Sequence, residues 1–152
     1  MITHHTSRGL IWVDVSRPTD EDITSLIKRY DLHPLVGEEL KSSSSLAKID
    51  FYKDYILVVL TLPVRLRTED GYEIVNREVD FVIGKNFLIT SRFDTIDQLE
   101  YFAKILEANS IINKEEKIDH AGHLFYYMVK RIYAGMCDDL ENIKDSLITA
   151  ET

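Results

Sequence analysis

The chain is poor in the features that mark secreted and membrane-embedded proteins. Its single cysteine, Cys137, excludes a disulfide within the 152 residues and is typical of a reducing compartment. The first residues lack the apolar segment of a signal peptide. The longest apolar run, residues 55–62, is far shorter than the ~20 residues that a membrane helix needs. The sequence therefore predicts that this stretch of chain is soluble.

Positive charge is also scarce. Lys and Arg together number 18 against 26 Asp and Glu, which gives a net charge of −8 and a pI of about 5.1. No basic stripe interrupts the acidic excess, so we expect neither nucleic acid nor an anionic membrane surface as a partner. A cation or a basic protein surface fits this charge better. Length and a hydrophobic content of 45% predict one folded domain with a sizeable core.

The sequence contains none of the motifs that usually mark an enzyme. It has no glycine-rich phosphate loop, no nucleophile elbow and no cysteine–histidine pairing that stands out. We therefore predict that the protein is not an enzyme, and the informative residues must be sought in binding rather than in catalysis.

The first third of the chain predicts a strand followed by two helices. Residues 10–15 form an apolar run, and Thr19 with Asp22 has the spacing of a capping box at the start of a helix. Four residues at helical spacing supply one apolar face of that helix: Ile23, Leu26, Ile27 and Tyr30. A turn at residues 31–33 then leads to Pro34, which suits the first position of a second helix.

The second predicted helix, residues 33–40, ends in two adjacent carboxylates, Glu38 and Glu39. Both cannot be buried without a cation, so they must face water, a basic partner or a metal ion. Three apolar residues are expected to anchor this helix to the core: Leu35, Val36 and Leu40. Which of the three environments the carboxylates meet decides the function.

The middle of the chain predicts an antiparallel meander. Residues 47–52 and 55–62 flank a short turn, and Pro63 is expected to end or bend the second of these strands. Residues 69–71 form a turn signal, and further strands are predicted over residues 72–83 and 87–90. Strands with helices before and after them indicate an α+β or mixed α/β fold.

From Asp94 the pattern is helical, with a polar connector at residues 109–117. The last 30 or so residues carry a heptad-like apolar stripe, which consists of Phe125, Met128, Ile132, Met136, Leu140, Ile143 and Leu147. No stop signal follows, so the helix is expected to continue in a longer protein. A frayed natural end is the alternative.

Taken in order, these segments resemble the N-terminal cytoplasmic domain of the CorA-type magnesium transporters over nearly the whole chain. The order and spacing of the blocks carry the resemblance, since no block is specific alone. The blocks are Trp12-Val13-Asp14, Pro18-Thr19 with Asp22-Ile23, Leu32-His33-Pro34-Leu35 before Glu38-Glu39-Leu40, Lys48-Ile49-Asp50-Phe51-Tyr52, Asp54-Tyr55-Ile56, and the run from Phe81 to Thr90.

The resemblance implies an α/β/α sandwich with a mixed, largely antiparallel sheet between helical layers. Residues 1–118 would form the α/β domain, and residues 119–152 would begin a long helix toward a stalk. Transmembrane helices outside this sequence would place the parent protein in the cell membrane, with this domain on the cytoplasmic side. Five copies would assemble, and Mg²⁺ bound between them, with Co²⁺ as a possible substitute, would close the pore.

Carried over residue by residue, the resemblance places Glu39 at the family's interfacial sensing carboxylate and Glu38 at a second, adjacent one. The partner of the second site would lie on the helix after His123. The family pattern has an acid there, whereas this chain has Lys130. Lys130 could instead pair with Glu38 and replace the ion with a fixed positive charge.

Other interpretations compete with ion sensing. Glu38 and Glu39 could be a solvated helix end, and His33 is better explained as a helix cap than as a ligand. His120 and His123 could bind zinc or cobalt, although a solvated helix start explains them more simply. His4 and His5 are expected in a flexible terminus, and the acidic stretch of residues 138–145 is either a solvated face or a cation-attracting lining. A zinc-transporting relative and a free-standing soluble interaction module remain as alternative functions.

Overall fold

A computed structural model of the chain describes residues 1–43, 46–112 and 118–151. The predicted connector at residues 109–117 is wrong at its start, because the preceding helix continues to Ile112, and its remainder lies outside the described residues. Within the described parts the chain forms six strands and four helices, in the order β1 (Ile2–Ser7), β2 (Leu10–Ser16), α1 (Asp20–Tyr30), α2 (Pro34–Lys41), β3 (Lys48–Phe51), β4 (Ile56–Thr68), β5 (Gly71–Ile83), β6 (Phe87–Arg92), α3 (Asp97–Ile112) and α4 (Ala121–Glu151).

The strands form one mixed sheet in the order β1-β2-β6-β5-β4-β3. Neighbouring strands are antiparallel except β2 and β6, which run parallel and join the beginning of the sheet to its last strand. Helices α1 and α2 cover one face of the sheet, and α3 and α4 cover the other. The predicted α/β/α sandwich with a mixed, largely antiparallel sheet is confirmed.

Each face of the sheet has its own hydrophobic core. On the α3/α4 face, Trp12 packs edge-on against Phe102 with ring centroids 5.8 Å apart, and Phe81 packs against Phe125 of α4. On the α1/α2 face, the core comprises Val13, Val15, Ile23, Leu26, Leu32, Val36, Leu40, Tyr55, Leu57, Val59, Val82 and Ile89. The central strands are consequently buried on both sides, and any polar side chain there must find a partner.

The parallel pair β2 and β6 carries such a polar network on the α3/α4 face. The indole N–H of Trp12 donates to Thr90 Oγ1 at 3.0 Å, and Thr90 donates to Asp14 Oδ1 at 2.7 Å. The guanidinium of Arg92 donates to Asp14 Oδ2 at 3.0 Å, and its side chain is only 7% exposed. The network therefore pairs four buried or half-buried polar groups at the junction between the first and last parts of the sheet.

Several local predictions are confirmed. Thr19 caps α1 and forms the predicted capping box with Asp22, in which each side chain accepts from the other residue's backbone N–H. Pro34 occupies the first turn of α2, and the hairpin of β3 and β4 and the turn before Gly71 are where the sequence predicts them. These features depend on residues close in sequence, which is why the pattern alone locates them.

Three local predictions fail. Of the two effects predicted for Pro63, an end or a bend of β4, the end is excluded: the strand continues to Thr68, with Pro63 opposite Asn76 of β5. The terminus with His4 and His5 is not flexible, because it forms β1, paired with β2, and the His5 ring stacks on Trp12 at 4.6 Å. Leu35 does not anchor α2, since it is 63% exposed.

Helix α4 belongs to the core in its first half and to the surface in its second. Leu124, Met128 and Ile132 are buried, whereas Leu140 and Leu147 of the predicted stripe are exposed. The division of the chain at residue 118 and the continuation of this helix remain predictions.

The buried pair of Asp14 and Arg92 generates a stability prediction. Arg92→Leu should lower the free energy of unfolding by about 3–5 kcal/mol, because it leaves the Asp14 carboxylate buried without its cation. The double variant with Asp14→Leu should recover much of this loss, since two apolar residues need no partner. Urea unfolding measures both. A loss in Arg92→Leu no larger than that of the surface variant Lys41→Met would contradict the assignment.

Candidate functional site

Local contacts fix the orientation of α2, which carries the two predicted carboxylates. His33 caps the helix: its Nδ1 accepts from the Leu35 N–H at 3.1 Å, as predicted, and its own N–H donates to the Tyr55 hydroxyl at 2.8 Å. Gly37 faces α1 so closely that an added Cβ would lie 2.5 Å from Ile27 Cδ1. The missing side chain therefore lets α2 pack tightly on α1.

The C-terminal end of α2 is tied to the sheet beneath it. Ser91 of β6 donates its hydroxyl hydrogen to the Leu40 carbonyl at 3.1 Å, and Leu40 itself is fully buried. This contact holds the last turn of α2, and with it Glu39, over the edge of the sheet formed by β3.

Glu39 meets a basic partner within its own chain. Its carboxylate, 25% exposed, forms an ion pair and hydrogen bond with the Lys48 ammonium, which also lies 3.2 Å from Asp50 Oδ2. The hydrogen bond to Glu39 is the main cause that raises the pKa of Lys48 above its ordinary value, and the bond to Asp50 adds to it. Glu39 therefore has a basic partner within its own chain.

Glu38 is the more exposed carboxylate. Its side chain is 74% exposed, and its Oε1 lies 3.8 Å from the Lys41 ammonium, which is closer to Asp20 at 3.0 Å. The predicted pairing of Glu38 with Lys130 within the chain is wrong, because Lys130 lies on α4 on the opposite face of the sheet. Glu38, Glu39 and Asp50 instead line one open cleft with Lys41, Lys48, Leu35, Ser42 and Tyr52.

A further carboxyl group, that of Asp80, lies behind this cleft and is not among the residues predicted from the sequence. Asp80 of β5 is 3% exposed, and its Oδ1 has no hydrogen-bond partner among the described residues. Burial is the main cause that raises the pKa of Asp80 to about 8; the charges of Glu78 and Glu39 add to it, and Lys48 opposes it. The alternation of apolar and polar residues along β5 predicts that Asp80 faces solvent. This prediction is wrong because helices cover both faces of β5.

His120 and His123, for which metal binding is the weaker alternative to a solvated helix start, make local contacts at the beginning of α4. His120 Nδ1 accepts from the Gly122 N–H at 2.8 Å, and His123 Nδ1 lies 3.0 Å from Asp119. The rings of the two histidines are 6.2 Å apart. Across residues 1–43, 46–112 and 118–151, no three or more His, Cys, Asp or Glu side chains gather in a geometry suited to a metal ion.

Solved structures share this fold. The chain superposes on the soluble domain of CorA from Methanocaldococcus jannaschii with a TM-score of 0.77 and 22% sequence identity, covering 94% of this chain and 54% of that one. Superposition on the complete CorA magnesium transporter of the same organism gives a TM-score of 0.71 and 23% sequence identity, and it covers 97% of this chain and 44% of that one. In the described parts of this chain, no helix combines the length and apolar character needed to cross a membrane.

Sequence comparison agrees with the fold. The magnesium transporter ALR2 of Saccharomyces cerevisiae is 29% identical over 86 residues, which is 56% of this chain but only 10% of that protein. The model of the family described as CorA-like Mg²⁺ transporter protein matches residues 7–152. The chain belongs to this family.

The raised pKa of Asp80 generates a prediction about stability. Between pH about 4 and about 8 the folded chain keeps a proton on Asp80 that the unfolded chain has lost. Because the folded state binds more protons, the free energy of unfolding should decrease as pH rises through this range, by at most ~1.4 kcal/mol per pH unit.

Asp80→Asn should remove this contribution to the pH dependence of the free energy of unfolding, since the amide does not ionise. The stability of the variant relative to the wild type should therefore increase as pH rises. Urea unfolding at pH 5, 6, 7 and 8 measures the difference. Asp50→Asn is the matched control because Asp50 is far more exposed. Equal slopes for the wild type and Asp80→Asn would show that Asp80 ionises normally.

Proposed function

We propose that this chain is the ion-sensing domain of a divalent-cation transporter, located on the cytoplasmic side of the cell membrane and not an enzyme. Mg²⁺ is the proposed ion, with Co²⁺ as a possible substitute. The observation that carries the proposal is the family match across residues 7–152, on a fold shared with the soluble domain of a CorA protein. Binding of the ion between subunits of a homopentamer would hold the pore closed.

The charge of the chain supports this assignment. Each copy carries −8, so neighbouring copies repel unless cations lie between them. The cleft at the end of α2 holds three carboxylates beside two ammonium groups, with Glu38 outermost and Glu39 and Asp50 deeper. Carboxylate oxygens suit Mg²⁺, which keeps several of its waters and needs only one or two protein carboxylates per site.

Lys48 gives the proposed site a built-in competitor. Its ammonium already pairs with Glu39 and Asp50, so an arriving divalent ion must displace it or share Glu39 with it. The displacement lowers the net affinity, which is appropriate for sensing an ion that is abundant inside cells. When the ion leaves, Lys48 recovers Glu39 and the subunits are free to separate, which is a population shift driven by differential ion binding.

Two alternatives are weaker. A zinc-transporting function gains no support from the histidines, because His120 and His123 take the roles of a helix cap and an ion-pair partner. One observation favours an interaction module: the apolar side chains of Tyr133, Leu140 and Leu147 on α4 are exposed. The full coding sequence separates the module from the transporter: two apolar stretches of about 20 residues beyond residue 152 support the transporter.

Glu39→Gln tests the sensing role in the full-length protein that contains this domain. Mg²⁺ should protect the domain interfaces from protease, and the variant should need on the order of tenfold more Mg²⁺ for half protection, since it loses a charged ligand. Glu38→Gln should have a smaller effect. Glu69→Gln, in the distant β4–β5 turn, is the control. Protection unchanged in Glu39→Gln would remove this residue from ion sensing.

Lys48→Met should act in the opposite direction. Methionine keeps much of the length of the side chain but not its charge, so Glu39 and Asp50 lose the ammonium that competes with the ion. Half protection should then occur at a lower Mg²⁺ concentration than in the wild type. Lys41→Met removes the ammonium next to Glu38 and should lower the Mg²⁺ concentration for half protection by less. A higher Mg²⁺ requirement in Lys48→Met would show that the lysine positions Glu39 instead of competing for it.

A further inference from the structure

The carboxyl group of Asp80 lies in an enclosed position between three strands and a helix end. In the sheet register Asp80 is opposite Val59 of β4 on one side and Ser91 of β6 on the other. Ser91 in turn donates to the carbonyl of Leu40, so the last turn of α2 closes this face of the sheet. Water has little access to Asp80, which is 3% exposed.

Glu78 lies two residues before Asp80 on β5, so the two side chains are on the same face of the sheet. The charge of Glu78 adds to the effect of burial in raising the pKa of Asp80. Two close negative charges in a buried place repel each other strongly, and a proton on one of the two carboxyl groups removes this repulsion.

Two charged groups on neighbouring elements act on Asp80: Glu39 of α2 raises its pKa and Lys48 of β3 opposes this effect. Lys48 is engaged by Glu39 and Asp50. The neighbouring side chains on β4 and β6, Thr61 and Ser91, are uncharged, and Thr61 Oγ1 is itself buried without a partner among the described residues.

Glu78 provides the connection to solvent. It is only partly buried, and the exposed Ser43 after α2 donates to Glu78 Oε2 at 3.3 Å. Glu78 therefore reaches the surface of the domain beside the end of α2, on the same face of the sheet as Asp80.

We propose that Glu78 and Asp80 form a proton-binding site that is linked to cation binding at Glu39. A divalent ion that arrives at Glu39 adds positive charge near the pair. It therefore favours the release of one proton from the Glu78–Asp80 pair to water. Conversely, a protonated pair leaves one negative charge fewer near the ion and weakens its binding. The linkage, but not the proton site itself, rests on the function proposed above.

The proton site is tested first, without any metal. The ¹³C resonance of the Asp80 carboxyl carbon in this 152-residue chain should titrate with a midpoint near pH 8. Glu78→Gln should lower the Asp80 midpoint by roughly one pH unit or more, since it removes a like charge and supplies an amide donor. Glu69→Gln should leave it unchanged. An Asp80 midpoint below about pH 5 in the wild type would overturn the proposal.

The linkage is tested in the full-length protein by the Mg²⁺ concentration that half protects it from protease, at pH 6.5 and pH 8.5. Release of one proton on binding lowers this concentration by at most about tenfold per pH unit. We expect a clear decrease in the wild type and a much smaller one in Asp80→Asn.

The two parts of the proposal fail in different ways. A midpoint near pH 8 together with equal pH dependence in the wild type and Asp80→Asn would leave the proton site standing and overturn the linkage. No protection by Mg²⁺ at any pH would overturn the proposed function and the linkage with it, while the NMR titration would still decide the proton site.

Discussion

Burial of the central strands on both faces is the constraint on which the rest of this structure depends. Helices α1 and α2 close one face of β2, β6 and β5, and helices α3 and α4 close the other. A polar side chain on these strands cannot turn toward water, because the opposite face is buried as well. It must find a partner inside the sheet or change its charge. Both solutions occur, one on each face.

On the α3/α4 face the solution is pairing. Asp14 has Arg92 and Thr90 as donors, and Thr90 also accepts from Trp12, so the charge stays in place and is balanced. On the α1/α2 face the solution is different. Asp80 lies behind Glu39 and Lys48, the lysine is already engaged, and neutralisation by a proton is what remains. The first arrangement is structural, whereas the second stays responsive to pH and to nearby charge.

The parts of this fold that sequence predicts well are those decided by neighbours in the chain. The capping box of Thr19 and Asp22, the His33 cap before Pro34 and the turn at Gly71 each involve a few consecutive residues. The failures involve partners that only the fold brings together. Lys48 reaches Glu39 because the β3–β4 hairpin lies along the end of α2, and Lys130 cannot reach Glu38 because the sheet separates them. Alternation misplaces Asp80 for the same reason, since it cannot reveal that a second helical layer covers the polar side of β5.

As the metal site that we propose, the cleft would differ from a simple acidic patch in how its affinity is set. An arriving ion would compete with two cations, the Lys48 ammonium at Glu39 and the proton on Asp80. Each lowers the effective negative charge that the ion would meet. A pair of free carboxylates would hold a divalent ion more tightly and respond at lower concentration. Because Lys48 lies on β3 and Asp80 on β5, the concentration at which an ion binds would depend on the fold of this domain as well as on the carboxylates that contact the ion.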